Sequence, residues 1–239
     1  MTAANIPDRL TVNKGKREFI TVDGVTYGRY ALKTHVISAA DKLRDIAEKY
    51  IRPVVVPGDI VFLSEKMVAC TQGRAIPLKS IRPRKLAVFL SARVYKNPGG
   101  IGLAMPETME MALRECGTWR ILLAAACHCA GRVLGKRGWF YIVAGRKAAS
   151  IDGPCSYTLP PYNQYVVLGP SRPDETAREL AAALGVPVLI VDINDLGGNI
   201  LGSSEKLNKA LYSKILSDNP LGQSGQCTPC GIIRRKTQQ

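Results

Sequence analysis

Apolar residues along this chain fall into short blocks of two kinds, bounded by glycine, proline or Asp/Asn turns. Blocks rich in β-branched and aromatic residues occupy 18–22 and 25–29, and the Asp23-Gly24 pair between them predicts a hairpin with a two-residue turn. Residues 54–59 read as a turn into a strand over 60–64, and 139–144 read as a strand that turns at Gly145. Helical apolar spacing marks 39–50, through Leu43, Ile46 and Ala47, and also 106–116 and 119–132, which join at Gly117. Another helix covers 174–184, with Ser171 as the expected N-cap and Asp174 three residues later as its capping-box partner. A last helix is expected from Ser203 or Ser204 to about residue 218, where Asn219-Pro220 stops it. Residues 1–16 are polar and expected to be extended, and 151–154 mark a sharp turn before a proline-rich loop.

The apolar run from Val186 to Val191 follows the 174–184 helix as a strand reached by a helix crossover, buried on both faces. Strands and helices alternate irregularly, which predicts an α+β fold with mixed sheets and packed helices rather than a doubly wound one.

That same strand ends in Asp192, Asn194 and Asp195, followed by Gly197 and Gly198. Polar groups at the carboxyl end of a buried strand stand at the rim of a rigid scaffold, where α/β sheets bind ligands. Oxygen donors of this kind suit hard cations such as magnesium or manganese. An Asp/Asn turn with glycines supplying positive φ accounts for the composition equally well. Asp152, in a second turn, either joins Asp192 or Asp195 around a cation or caps its own turn.

After the 60–64 strand, Ser64 and Lys66 share a face if the chain stays extended, so a hydroxyl and an ammonium could hold phosphate oxygens. Glu65 then points the other way, and a solvated strand end is the plainer alternative. Asn97-Pro-Gly-Gly-Ile-Gly-Leu-Ala104 resembles a phosphate-cradling loop but lacks the lysine and Ser/Thr of a P-loop. With only His35 and His128 in the chain, nucleophilic hydrolysis built on a histidine base is disfavoured.

Composition narrows the partners. The 239 residues include 33 basic and 19 acidic side chains, a net charge of +14, concentrated in 79–85 with Arg93 and Lys96, in 132–146 and in 234–236. Such a surface attracts anions. Only Trp139, Phe140 and Tyr141 lie beside a basic cluster, so a nucleotide or another phosphorylated small molecule is favoured over nucleic acid. The apolar run 119–130 is too short to span a bilayer, and the N-terminus has no basic-then-apolar export pattern, so a cytoplasmic protein without a membrane partner is expected. Seven cysteines without framework spacing are expected to be mostly reduced and buried. Cys227 and Cys230 have redox or metal spacing, but a zinc site completed by Cys127-His-Cys129 is disfavoured, because helix positions two apart face different ways.

In order, these segments resemble the coenzyme F-420:L-glutamate ligase family, the CofE-like gamma-glutamyl ligases, from about residue 30 to about residue 234, with a gap in the middle. Lys33-Thr-His-Val-Ile37 is similar to its N-terminal nucleotide segment, and Gly58-Asp-Ile-Val-Phe-Leu-Ser64 with Gln72-Gly-Arg74 to its strand ending in a Glu-Gly-Arg turn. Ile151-Asp152 aligns with the aspartate of its Asp-x-Ser-Asn site, Pro173-Asp174 with Thr176-Ala177 with its helix start, and Asp192-Ile-Asn194 with its later Asp-Thr-Asn. Gly222-Gln223 with Pro229 resembles its closing motif.

The resemblance implies a homodimer of CofE-like ligase fold, with an N-terminal extension and hairpin over 1–30 and the ligase domain over 31–235. It implies that GTP or ATP and a divalent cation, Mg2+ or Mn2+, drive acyl-phosphate formation on an anionic carboxylate substrate, which an amine then attacks. Carried over by position, Asp152, Asp192 and Gln223, with Asp195 beside them, would hold metal. Thr34, His35, Val36, Ile37, Ser64, Glu65, Lys66 and Arg74 would contact nucleotide. Lys66 and Asn194 would be catalytic, Lys66 on phosphate and Asn194 in orientation. The chain departs from the family pattern at three points: its nucleotide lysine falls on Cys70, the asparagine after the first metal aspartate on Cys155, and the threonine after the second on Ile193. The block 98–132 has no counterpart in the motifs matched. A ligand-binding or regulatory protein on the same fold, without catalysis, is the alternative.

Overall fold

The computed structural model describes residues 10–94, 102–136, 138–155, 158–195, 197–223 and 225–236. In chain order the elements are β1 (Leu10–Thr11), β2 (Phe19–Val22), β3 (Val25–Leu32), α1 (Leu43–Ile46), β4 (Ile60–Ser64), α2 (Glu65–Thr71), β5 (Ala75–Pro77), α3 (Lys85–Ser91) and α4 (Pro106–Cys116). They continue with α5 (Thr118–Val133), α6 (Trp139–Ala144), α7 (Arg146–Ala149), β6 (Tyr165–Val167), α8 (Pro173–Leu184), β7 (Val188–Asn194), β8 (Gly197–Ser203), α9 (Lys209–Ile215) and β9 (Cys230–Arg235). The fold is α+β.

The chain divides into two units, Met1–Gly73 with Pro170–Gln239 and Arg74–Gly169. Unit 1 is built on a seven-stranded mixed sheet in the order β1-β3-β9-β4-β7-β8, with β2 also paired to β3. The β2–β3 hairpin turns at Asp23 and Gly24, whose φ values of 49° and 78° are those a two-residue turn of right-handed twist demands. Strand β4 pairs parallel with β7 through the α8 crossover, and β9 runs antiparallel between β3 and β4. Val188, Leu189, Ile190 and Val191 have no exposure, so this strand is covered on both faces, as its unbroken apolar run requires. Leu189 and Val191 pack with Phe62, Tyr212 and Ile215, while α8 lies against β7 and β8.

Unit 2 carries the two-stranded β5–β6 sheet and helices α3–α7 around Met109, Leu113, Ile121, Ala124 and Ile151. Among the described residues no helix is long and apolar enough to cross a membrane.

Five local expectations are corrected. Residues 139–144 form helix α6, not a strand: Phe140, Val143 and Ala144, at helical spacing, turn to the core while Tyr141 and Ile142 are exposed. Packing against α5 outweighs the β-propensity of the aromatic and branched residues. The chain after Ser64 is helical rather than extended, because the Ser64 hydroxyl accepts from the Met67 N–H and starts α2. Residues 197–203 form β8, so the final helix begins only at Lys209, capped by Asn208. Ser171 is not the N-cap of α8. Arg172 takes that position in left-handed backbone, and the Asp174 carboxylate accepts from the Ser203 N–H instead of from its own helix. The helix expected over 39–50 is shorter at its start, with α1 beginning at Leu43 and running into a π-helical turn over Ala47–Ile51.

Candidate functional site

Because β3 and β4 both run antiparallel to β9, and β7 runs parallel to β4, the carboxyl ends of β3, β4 and β7 open at one end of the sheet. These ends carry Thr34–Ile37, Ser64–Lys66 and Asp192–Asp195. The candidate residues of unit 1 that are far apart in sequence therefore share one rim, the arrangement in which a rigid sheet presents polar groups to a ligand. Residues 227–229 run along it: the Thr34 N–H donates to the Cys227 carbonyl at 3.0 Å and the Ser64 N–H to the Pro229 carbonyl at 2.8 Å.

On the first loop, Thr34 and Ile37 are buried and His35 and Val36 exposed. His35 is held from both sides: Nδ1 lies 2.8 Å from the Tyr50 hydroxyl and Nε2 lies 3.0 Å from Asp41 Oδ1. The Ser38 N–H and hydroxyl both donate to Asp41 Oδ2, and the backbone bond first, then the histidine, holds this carboxyl below its ordinary range. Neither Asp41 nor Tyr50 stands out in the sequence, since separations of six and fifteen residues from His35 match no element period.

On the second, Ser64 keeps its hydroxyl proton for donation while its oxygen caps α2. Glu65 is buried and Lys66 exposed. The expectation that Ser64 and Lys66 share a face of an extended strand does not hold. Lys66 and Cys70 are instead neighbours by the four-residue period of α2, with the lysine exposed and the cysteine buried.

On the third, Asp192 and Asn194 project from one face of β7 by strand alternation. The chain turns back into β8 with Asn194 opposite Gly197. Asp195 Oδ1 is engaged by the Lys16 ammonium at 2.6 Å, and the Asp195 N–H donates to Gln223 Oε1 at 3.2 Å, which brings Asp195 and Gln223 together. Among the described residues no group of three or more His, Cys, Asp or Glu side chains is placed to hold a metal ion. The donors that fit a hard cation in kind are the oxygens of Asp192, Asn194 and Gln223.

Two candidates lie in unit 2. The Asp152 backbone exchanges hydrogen bonds of 2.8 and 2.9 Å with Val167 beside β6. Arg74 is committed to its own unit, donating to the Gly169 carbonyl at 2.6 Å and pairing with Glu115 at 2.9 Å. The glycine loop of 97–104 falls largely outside the described residues.

No disulfide is formed among the described residues. Cys230 is the Cα partner of both Leu32 and Leu63, and burial pushes its thiol up to about 12, which disfavours the reactive thiolate at Cys230. A groove of about 460 Å3 between α1 and α8, lined by Leu43, Arg44, Glu179 and Leu180 among others, contains none of the expected site residues.

A family model described as F420-0:Gamma-glutamyl ligase matches residues 31–195, more than half of the chain. Its bounds enclose the block 98–132 and leave out Gln223, Cys227 and Cys230. No curated protein matches the chain.

Proposed function

The chain belongs to the F420-0:gamma-glutamyl ligase family, and from that premise we propose that it is a nucleotide- and metal-dependent amide ligase acting on an anionic carboxylate in the cytoplasm. The terminal phosphoryl group of GTP or ATP passes to the substrate carboxylate. An amine, such as that of glutamate, displaces phosphate from the acyl phosphate and leaves an amide, a nucleoside diphosphate and inorganic phosphate. The observation that carries this reading is the shared rim: three family-matched strand ends supply hydroxyl, ammonium and carboxylate groups at one end of one sheet.

Thr34 to Ile37 line the nucleotide's approach, and the Ser64 hydroxyl and Lys66 ammonium hold phosphate oxygens, whose charge they partly neutralise. Asn194 orients the reacting carboxylate. Asp192 and Gln223 would hold Mg2+ or Mn2+, which when bound supplies further charge neutralisation on the phosphates. Asp195 joins them only if Lys16 gives it up. Asp152 is the candidate carboxylate of unit 2. The family resemblance supports a homodimer.

A second reading, ligand binding without catalysis, is favoured by one observation: Cys70, which aligns with the family's nucleotide lysine, is buried in α2 and offers no ammonium to a phosphate. Thermal unfolding with GTP, ATP and GDP, each with and without Mg2+ or Mn2+, tests binding, since a ligand of the native state raises its stability. A metal-dependent nucleotide shift with release of phosphate in the presence of a carboxylate and an amine is expected. A shift without turnover favours the binding protein, and no shift with any pair removes both. Asp192→Asn is expected to weaken Mn2+ binding without unfolding the metal-free protein.

A further inference from the structure

Of the eleven large hydrophobic side chains exposed among the described residues, eight lie in unit 2. The two most exposed, Val133 at 88 % and Trp119 at 85 %, lie on α5, as does Leu123 at 58 %, while Ile142 of α6 is 75 % exposed. With Ala126 and Ala130, also exposed, the α5 side chains recur at intervals of four, three, four and three residues and so form one stripe along the 16-residue helix. The opposite side, through Ile121, Ala124 and Gly131, is buried in the core of the unit. An apolar helix with one face packed and the other bare has a surface that water penalises along its whole length.

Charge identifies what covers it. Unit 2 has fourteen basic and four acidic residues, a net charge of +10 out of the chain's +14. Between residues 118 and 149 there are six basic side chains and no acidic one. Arg120, Arg132 and Lys136 are exposed on and just beyond α5. A second copy of this face would set cations against cations. A nucleic acid would satisfy the charge but give Leu123 and Val133 nothing, since its backbone offers no hydrocarbon to aliphatic side chains. A bilayer surface with anionic headgroups offers both at once: acyl chain for the stripe, phosphate for its basic neighbours.

We propose that the α5 face of unit 2 docks peripherally on an anionic lipid surface, with Trp119, Leu123 and Val133 entering the boundary between headgroups and acyl chains. No helix need cross the bilayer.

The test is flotation of the full-length protein with vesicles of phosphatidylcholine alone and of phosphatidylcholine mixed equally with phosphatidylglycerol. Binding to the mixed vesicles is expected, with little to the neutral ones. Leu123→Ser with Val133→Ser should lower the partitioning roughly tenfold or more while leaving circular dichroism unchanged, since both side chains are exposed in the native state. Absence of binding to the mixed vesicles overturns the proposal, as does binding that the serine variant leaves intact. Conversion of a dimer to a monomer by the same variant, with lipid partitioning unchanged, overturns it in favour of a second copy. Tighter retention of single-stranded RNA than of mixed vesicles overturns it in favour of a nucleic acid.

Discussion

Lys16 Nζ lies 2.6 Å from Asp195 Oδ1 and 2.7 Å from the Asp218 carbonyl oxygen, so one ammonium ties the tip of the β7–β8 hairpin to the segment after α9. It also sits where a metal ion would compete for the same carboxylate. Lys16→Ala should therefore tighten Mn2+ binding by about two- to fivefold, the scale of a surface ion pair. Calorimetric titration measures this, and an unchanged affinity would remove Asp195 from the metal set.

Arg29 is fully buried in β3 and bonds the Asp218 carboxylate through both terminal nitrogens. Burial pushes the Asp218 carboxyl up, but the hydrogen bond and charge of Arg29 outweigh it and hold it below the ordinary carboxylate range. Asp218→Asn leaves a buried cation poorly matched and should cost about 2–3 kcal/mol at neutral pH, below the full buried-pair range because Asp218 is 26 % exposed. A carboxyl whose folded pKa is lowered stabilises above its unfolded value and loses that contribution as pH falls through the folded one. Urea denaturation should thus show the full gap at pH 5 and above and a shrinking gap below about pH 4. A gap independent of pH would assign the loss to packing.

At Gly231, the second residue of β9, a Cβ would meet the Tyr30 carbonyl oxygen at 2.4 Å and the Phe62 ring at 2.5 Å. Neither the backbone of β3 nor a fully buried ring has room to yield. Gly231→Ala should destabilise the protein by about 1–3 kcal/mol or prevent folding, read as a lower denaturation midpoint or as insoluble expression.

Thiol chemistry separates the cysteines. Iodoacetamide on the native protein should modify exposed Cys129 quickly and leave Cys230 untouched until the protein unfolds. Peptide mass spectrometry with early modification of Cys230 would reopen a redox role for Cys227 and Cys230.

The hairpin at Asp23-Gly24, the strand over Ile60–Ser64, the helix Pro106–Cys116 and the buried run ending at Asp192 are legible in the sequence because each is specified by neighbours a few residues away: a turn pair, a strand bounded by turns, a helical period, an unbroken apolar run. Trp139–Ala144 misleads because the same six side chains satisfy a strand by propensity and a helix by packing, and only α5 chooses between them. The segment after Ser64 misleads because one hydroxyl, bonded to the Met67 N–H, bends the chain from strand into helix.

For the site, sequence by itself determined which donors the chain has to offer: hydroxyl, ammonium and carboxylate groups at the ends of apolar runs. Tertiary structure decided their company. Strand pairing through β9 gathers the ends of β3, β4 and β7 on one rim, Asp41 and Tyr50 clamp His35, and Lys16 claims Asp195. The side-chain partners alone lie from six to 179 residues apart, and no local period encodes such a meeting, because it depends on which strands pair and how the loops close over their ends.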